Sequence, residues 1–304
     1  MRLLASELLR FRSRRLVVVM LVGALLATTI GLVIAAWQST PPTESVVAAA
    51  RAQARDEVAR CLESDFEGGE FPGSPEEFCR ENFGNPAHYM PSHVALVELP
   101  QILEGISSIT SILGLVIGAS SVAASWQTGT ISTILTWEPR RLRWLAARIL
   151  VLAAGVLVMT SLIVAFLSAG IALAATLRGS TVEVDGAWWT DALATSLRVS
   201  VAAAISAIIG GAVAAIGRHT AAALGVVFVW TAVLEGLMRG LRPLWTPWLL
   251  GDNLVTFLNW RTAEYGFPNG SYVLSPGRAI FVILCYTAVV LAIGLIFVRI
   301  RDVQ

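Results

Sequence analysis

Arg12-Ser13-Arg14-Arg15-Leu16-Val17-Val18-Val19-Met20-Leu21-Val22-Gly23-Ala24-Leu25-Leu26-Ala27-Thr28-Thr29-Ile30-Gly31-Leu32-Val33-Ile34-Ala35-Ala36-Trp37 is the stretch that decides the fold. From Leu16 to Trp37 no side chain is charged. A helix needs about 20 apolar residues to cross the hydrocarbon core of a bilayer. The run is longer than the ~7–15-residue apolar region of a cleavable signal, and no A-x-A-like site follows it directly. It is therefore expected to stay in place as a transmembrane helix.

Five more segments of this kind follow: Leu99–Ala124, Trp144–Leu177, Ala192–Ile216, Thr220–Met238 and Arg278–Val298. The Trp144–Leu177 run is too long for one perpendicular crossing and is expected to tilt or project beyond the bilayer. The composition agrees: 56% of the 304 residues are hydrophobic and 14% are charged, against about 25% charged in soluble domains. The net charge of +1 gives no global field for nucleic acid. The expected fold class is an all-α membrane protein with six transmembrane helices.

Orientation follows from arginine, because cytoplasmic loops collect positive residues. With the N-terminus inside, the inner segments hold Arg2, Arg10, Arg12, Arg14, Arg15, Arg140, Arg141, Arg143, Arg148, Arg218, Arg299 and Arg301, against the acids Glu7, Glu138 and Asp302. The first outer loop, 38–98, holds four Arg and eleven acids. Both termini are expected in the cytoplasm, which an even number of spans allows. The reading is a multi-pass protein of the cell (plasma) membrane.

Ahead of the first span, Leu3, Leu4, Leu8 and Phe11 share one helical face while the basic residues lie largely elsewhere. That pattern predicts an amphipathic helix in the inner membrane interface. The 38–98 loop is long for a connection and reads as an extracytoplasmic helical insert. Ser45 to Leu62 predicts one helix. Ser74-Pro75-Glu76-Glu77 predicts the start of a second, with Ser74 as N-cap. Cys61 and Cys79 fall one on each helix, and extracytoplasmic cysteines in a small subdomain are expected to pair. Cys285, inside the last span, reads as a small apolar residue. Leu241–Tyr272, with its tryptophans and prolines, predicts short outer-face helices.

All 22 basic residues are Arg; the chain has no Lys. A phosphate-binding P-loop needs a Lys, and Schiff-base chemistry needs an amine. If ATP drives this protein, another chain binds it. There is no H-E-x-x-H or G-x-S-x-G motif either, and no ligand spacing around His88 and His93 supports a metal.

One inner segment stands apart: Ser125-Trp126-Gln127-Thr128-Gly129-Thr130-Ile131-Ser132-Thr133-Ile134-Leu135-Thr136-Trp137-Glu138-Pro139-Arg140-Arg141. Ile131, Ile134 and Leu135 have helical spacing, so the segment predicts a short amphipathic helix that Pro139 ends before the arginines re-enter the membrane. Here the chain resembles the permease subunits of ABC exporters of the second type. Those subunits carry a Glu-Trp-x-x-Gly-Thr-like stretch, then Leu, then Pro with basic residues, between their second and third spans. The matching positions are Trp126, Gly129, Thr130, Leu135, Pro139, Arg140 and Arg141; Ser125 stands where the family often has Glu. The overall plan is similar too, with an interfacial first helix, six spans and irregular outer helices before the last.

The resemblance implies one transmembrane permease domain over 1–304, with 38–98 as an elaboration within it. It implies that the short helix, including Ile131 and Ile134, sits in a cleft of an ATPase subunit and passes movement to the spans. ATP and Mg would be bound there; no cofactor is expected in this chain, and the chain itself is not expected to be an enzyme. The implied partners are two ATPase subunits, a second permease chain (identical or paralogous) and membrane lipid, with no nucleic acid. Two other classes compete: a membrane anchor or accessory protein, and an intramembrane enzyme acting on lipid.

Within the second span, Glu104, Ser107, Ser108 and Ser111 follow helical spacing and continue to Gly118 and Ser121. Two readings stand: small-residue packing between helices, or the wall of a substrate path. A carboxylate within a span defaults to a functional role, which singles out Glu104 and, after it, Glu235.

Overall fold

The structure, a computed structural model, describes residues 2–41, 43–63, 74–90, 93–137, 140–182, 184–267 and 270–300. Among these residues six helices are long and apolar enough to cross a membrane. They are α2 (Arg15–Gln38), α5 (Leu99–Gln127, continued from a 3₁₀ turn at Leu96–Glu98), α7 (Arg141–Arg178), α8 (Gly186–Gly217), a composite of α9 (Thr220–Phe228) and α10 (Glu235–Leu241), and α12 (Pro276–Ile300). The fifth span is made continuous by a π-helical turn at Val229–Leu234. The architecture is that of a predominantly helical multi-pass membrane protein. At 38 residues, α7 is about 57 Å long, against a hydrocarbon core of about 30 Å.

The centre of the bundle is α8. Two-thirds of its apolar window is buried (67%), against 6% for α2, 11% for the fifth span and 17% for α12. The sequence explains the choice: α8 is rich in Ala and Gly, which let neighbouring backbones come close. At Gly114 and Gly118 of α5, an added Cβ would overlap the carbonyl oxygens of Ala203 and Ala207 of α8. The α5–α8 pair is thus held by backbone proximity that any larger side chain would break. Two apolar clusters lie along this axis. One joins Ile117, Val122, Trp144, Leu145, Leu152 and Val298. The other joins Leu96, Leu103, Ile171, Val199 and Leu258.

At one end of the bundle, α1 (Arg2–Arg12) leads into α2, and α6 (Thr130–Trp137) bridges α5 and α7. At the other end are α3 (Glu44–Glu63) and α4 (Pro75–Phe83). Ser74 caps α4 by accepting from the Glu77 N–H at 3.2 Å, with Pro75 in the first turn. A Cys61–Cys79 disulfide joins the two helices. Closing a loop of this length contributes on the order of 3 kcal/mol. Protein isolated without reductant is expected to show no alkylatable thiol at Cys61 or Cys79. Mass analysis that finds both alkylated refutes the bond.

Residues 241–272, expected as short helices only, contain one element of another kind. A 3₁₀ segment (Pro243–Trp248) and α11 (Leu250–Asn259) are helical. An antiparallel hairpin of β1 (Ala263–Phe267) and β2 (Gly270–Leu274) follows, in which Tyr265 pairs with Tyr272. The reason is local: Tyr265, Phe267, Tyr272 and Val273 favour strands, and Gly270 takes φ +138° beside the turn, a conformation open to glycine.

Candidate functional site

The arginine-rich end carries the sequence motif. Gly129 has φ +66°, and this left-handed residue turns the chain out of α5 so that α6 starts at Thr130. Trp126 packs against the apolar cluster, and the Arg218 guanidinium lies 4.2 Å from its ring centroid. The turn between α8 and α9 is thereby tied to the end of α5, one residue pair from α6. Ile131 is buried in the same cluster as Trp144 and Leu145, so it anchors α6 to the bundle. Among the described side chains of α6, Thr130, Thr133 and Thr136 are exposed. Arg140 is exposed, Arg141 is half-buried, and both line a hollow with Arg143 and Arg299. The side chains of Ile134 and Leu135, and residue Pro139, lie outside the described residues.

Beside this motif is a buried ionic clamp. Glu7 of α1 is 3% exposed. Its carboxylate accepts from Arg148 of α7 at 2.9 Å and from Arg10 at 2.8 Å. Arg148, 5% exposed, also donates to the Ser121 carbonyl. Arg14 donates to the Ser120 and Ser121 carbonyls at 3.1 and 3.0 Å. Burial lowers the Arg14 pKa from its ordinary value, and the Glu7 charge opposes that shift. The Phe11 ring fills the notch left by Gly155 of α7, where a Cβ would overlap it. So α1 is fastened to α5 and α7 just where they lead into and out of α6.

The four α5 residues expected on a substrate path are not brought together. Ser107 is buried and donates to the Glu104 carbonyl; Ser108 is exposed; Ser111 is half-buried. The cavity along α5 is lined instead by Ile102, Ile106, Ile109, Thr110 and Leu113, a neighbouring face of the helix. Glu104 is half-buried, under the charges of Arg198 and Asp191. Arg198, itself 9% exposed, donates to Thr195 at 2.6 Å and Asp191 at 3.3 Å and lies 5.4 Å from the Trp260 ring centroid. Sequence reasoning passed over Arg198. The available signal was a lone arginine inside the Ala192–Ile216 run, which is costly without partners.

Glu235 has a structural task. It is 1% exposed and accepts from the Leu250 and Gly251 N–H groups at 2.9 Å each and from the Trp230 indole at 3.1 Å. Those amides open α11, where donors have no partner within the helix and a negative charge is favoured. Arg239 and Asp252 add a second tie at 2.7 Å. Glu235→Ala orphans these donors and is expected to cost on the order of 3 kcal/mol, with Glu235→Gln losing less. Thermal unfolding in detergent checks this ranking; an unchanged midpoint for Glu235→Ala would contradict it.

No protein-family model matches the chain, and no curated protein matches it.

Proposed function

We propose that this chain is the permease subunit of an ATP-driven ABC exporter. Two such chains, identical or paralogous, assemble with two separate ATPase chains that bind ATP and Mg. In this reading α1 lies in the inner membrane interface, and α6 and both termini face the cytoplasm of a cell membrane. Residues 38–98 form an extracytoplasmic insert.

The observation that carries the reading is α6 itself. It is a discrete eight-residue helix, set off by the left-handed Gly129 and anchored by Ile131. It is joined directly to two spans, with exposed threonines facing away from the bundle. Motion imposed on such a peg passes straight to α5 and α7, because α6 is short and pinned. The Glu7–Arg148–Ser121 clamp supports the reading by stiffening the same corner. A chain without Lys leaves nucleotide to a partner.

Affinity purification of the chain from its own membranes is expected to bring an ATPase with it. A chain that purifies alone, with no ATPase in stable association, favours the anchor or lipid-enzyme readings. The topology is tested separately. A single cysteine at Thr136, with Cys285 replaced by Ser, should resist impermeant thiol reagents in intact cells, whereas one at Ala48 should react. Labelling at Thr136 from outside would invert the orientation.

A further inference from the structure

A cavity of about 830 Å³ lies between α2, α5 and α7. Its α2 wall carries Gly23, Ala27, Gly31 and Ala35, every fourth residue. Such a small-residue stripe usually marks close helix contact, yet a Cβ at Gly23 or Gly31 would meet nothing within 4 Å. The space is real room along the helix. From Val19 to Ala35, both on its wall, α2 rises about 24 Å, most of the ~30 Å hydrocarbon core. The opposite wall is apolar, with Ile106 of α5 and Leu167 of α7. Titratable side chains appear at one end only: His93, and Glu98 where the chain enters α5, the carboxylate being the one anionic group on the wall. Glu98 is half-buried, and its carboxylate makes no hydrogen bond or ion pair among the described residues.

Size and charge select the occupant. The volume lies in the range of ligand sites, about 300–1,000 Å³, and the long apolar form suits one hydrocarbon chain. Lipid tails are as apolar as the lining, so the tail alone gives no preference over the bilayer. Selection falls to the head. Next to the unpaired Glu98 a cation is attracted and a phosphate is repelled. We propose that this cavity binds a single-chain amphiphile with a cationic head, the head at Glu98 and the tail running along Gly31 toward Met20. The site stands on its own geometry and does not depend on the exporter reading.

The test uses full-length protein in phosphatidylcholine nanodiscs and a hexadecyltrimethylammonium probe carrying a mid-chain diazirine. Photolabelling should map to α2, α5 and α7. Excess hexadecyltrimethylammonium should compete, while hexadecyl sulfate and phosphatidylethanolamine should not. Glu98→Gln should lower probe affinity about fivefold, the upper end for a partly exposed ion pair. Gly31→Leu, whose side chain enters the open space, should remove most of the labelling while the protein elutes as a single species. Glu98→Gln alone decides the head-group claim if Gly31→Leu misfolds. Equal competition by the sulfate, effective competition by phosphatidylethanolamine, unchanged affinity in Glu98→Gln, or label spread over the outer faces of α9 to α12 would overturn the proposal.

Discussion

Thr133→Arg is expected to separate the chain from the proposed ATPase partner without unfolding it. Thr133 is exposed in the middle of α6, while the anchoring residue Ile131 is buried. A large charged side chain on that face disturbs a docked surface and leaves the bundle untouched. Disrupting a central position of a docked surface costs about 2 kcal/mol or more, roughly a 30-fold loss of affinity. The change in pull-down yield should be of that order, and ATP-driven flux should fall with it. Thr43→Arg, at an exposed site next to α3 at the opposite end of the bundle, is the control and should change neither. Thr133→Arg that retains full partner recovery and flux would remove α6 from the contact.

Arg148→Ala is expected to have the largest effect on stability. It leaves Glu7, 3% exposed, with only the surface residue Arg10 as ion-pair partner among the described residues. Breaking a buried pair by removing one member costs about 3–5 kcal/mol, because the remaining charge stays buried. Replacing both partners is the diagnostic variant. Glu7→Leu with Arg148→Leu removes the stranded charge and should recover much of the loss, although α1 would then lack its ion-pair tie to α7, with the Phe11 contact and the adjacent Arg14 bonds still in place. Thermal unfolding in detergent reads the order: wild type, then the double variant, then Arg148→Ala. If the pair guides coupling as well as folding, the double variant will be stable and yet slow in transport. Equal midpoints for the single and double variants would mean that the clamp is not a coupled unit.

The spans were legible because hydrophobic length is a property of the chain alone. All six expected segments lie within the observed helices, which extend them by a few residues at the ends. The Ser74 cap and the Cys61–Cys79 pairing were legible for the same reason: each depends on short-range chemistry. Partner choices were not. Glu7 and Arg148 are 141 residues apart, and only the folded bundle makes them neighbours. Glu235 looked like a transport carboxylate because the cost of burying it was visible, while the amides of Leu250 and Gly251 that offset the cost were not. The serines of α5 shared a helical face on paper, but α8 covers part of that face and leaves Ser108 out. Of the apolar residues of α6, helical spacing could not say which way Ile131 points. The hairpin at 263–274 had a readable signal, strand-forming aromatics flanking Gly270, which the tryptophans and prolines before it outweighed.

The measurement that bears most directly on the central assignment is ATP hydrolysis by the partner, purified with this chain in nanodiscs and again after the chain has been removed. A permease coupled through α6 requires a complex of two chains of each kind whose hydrolysis rate depends on the chain and changes with Thr133→Arg. An ATPase whose rate is the same with the chain, without it and with Thr133→Arg would contradict the assignment.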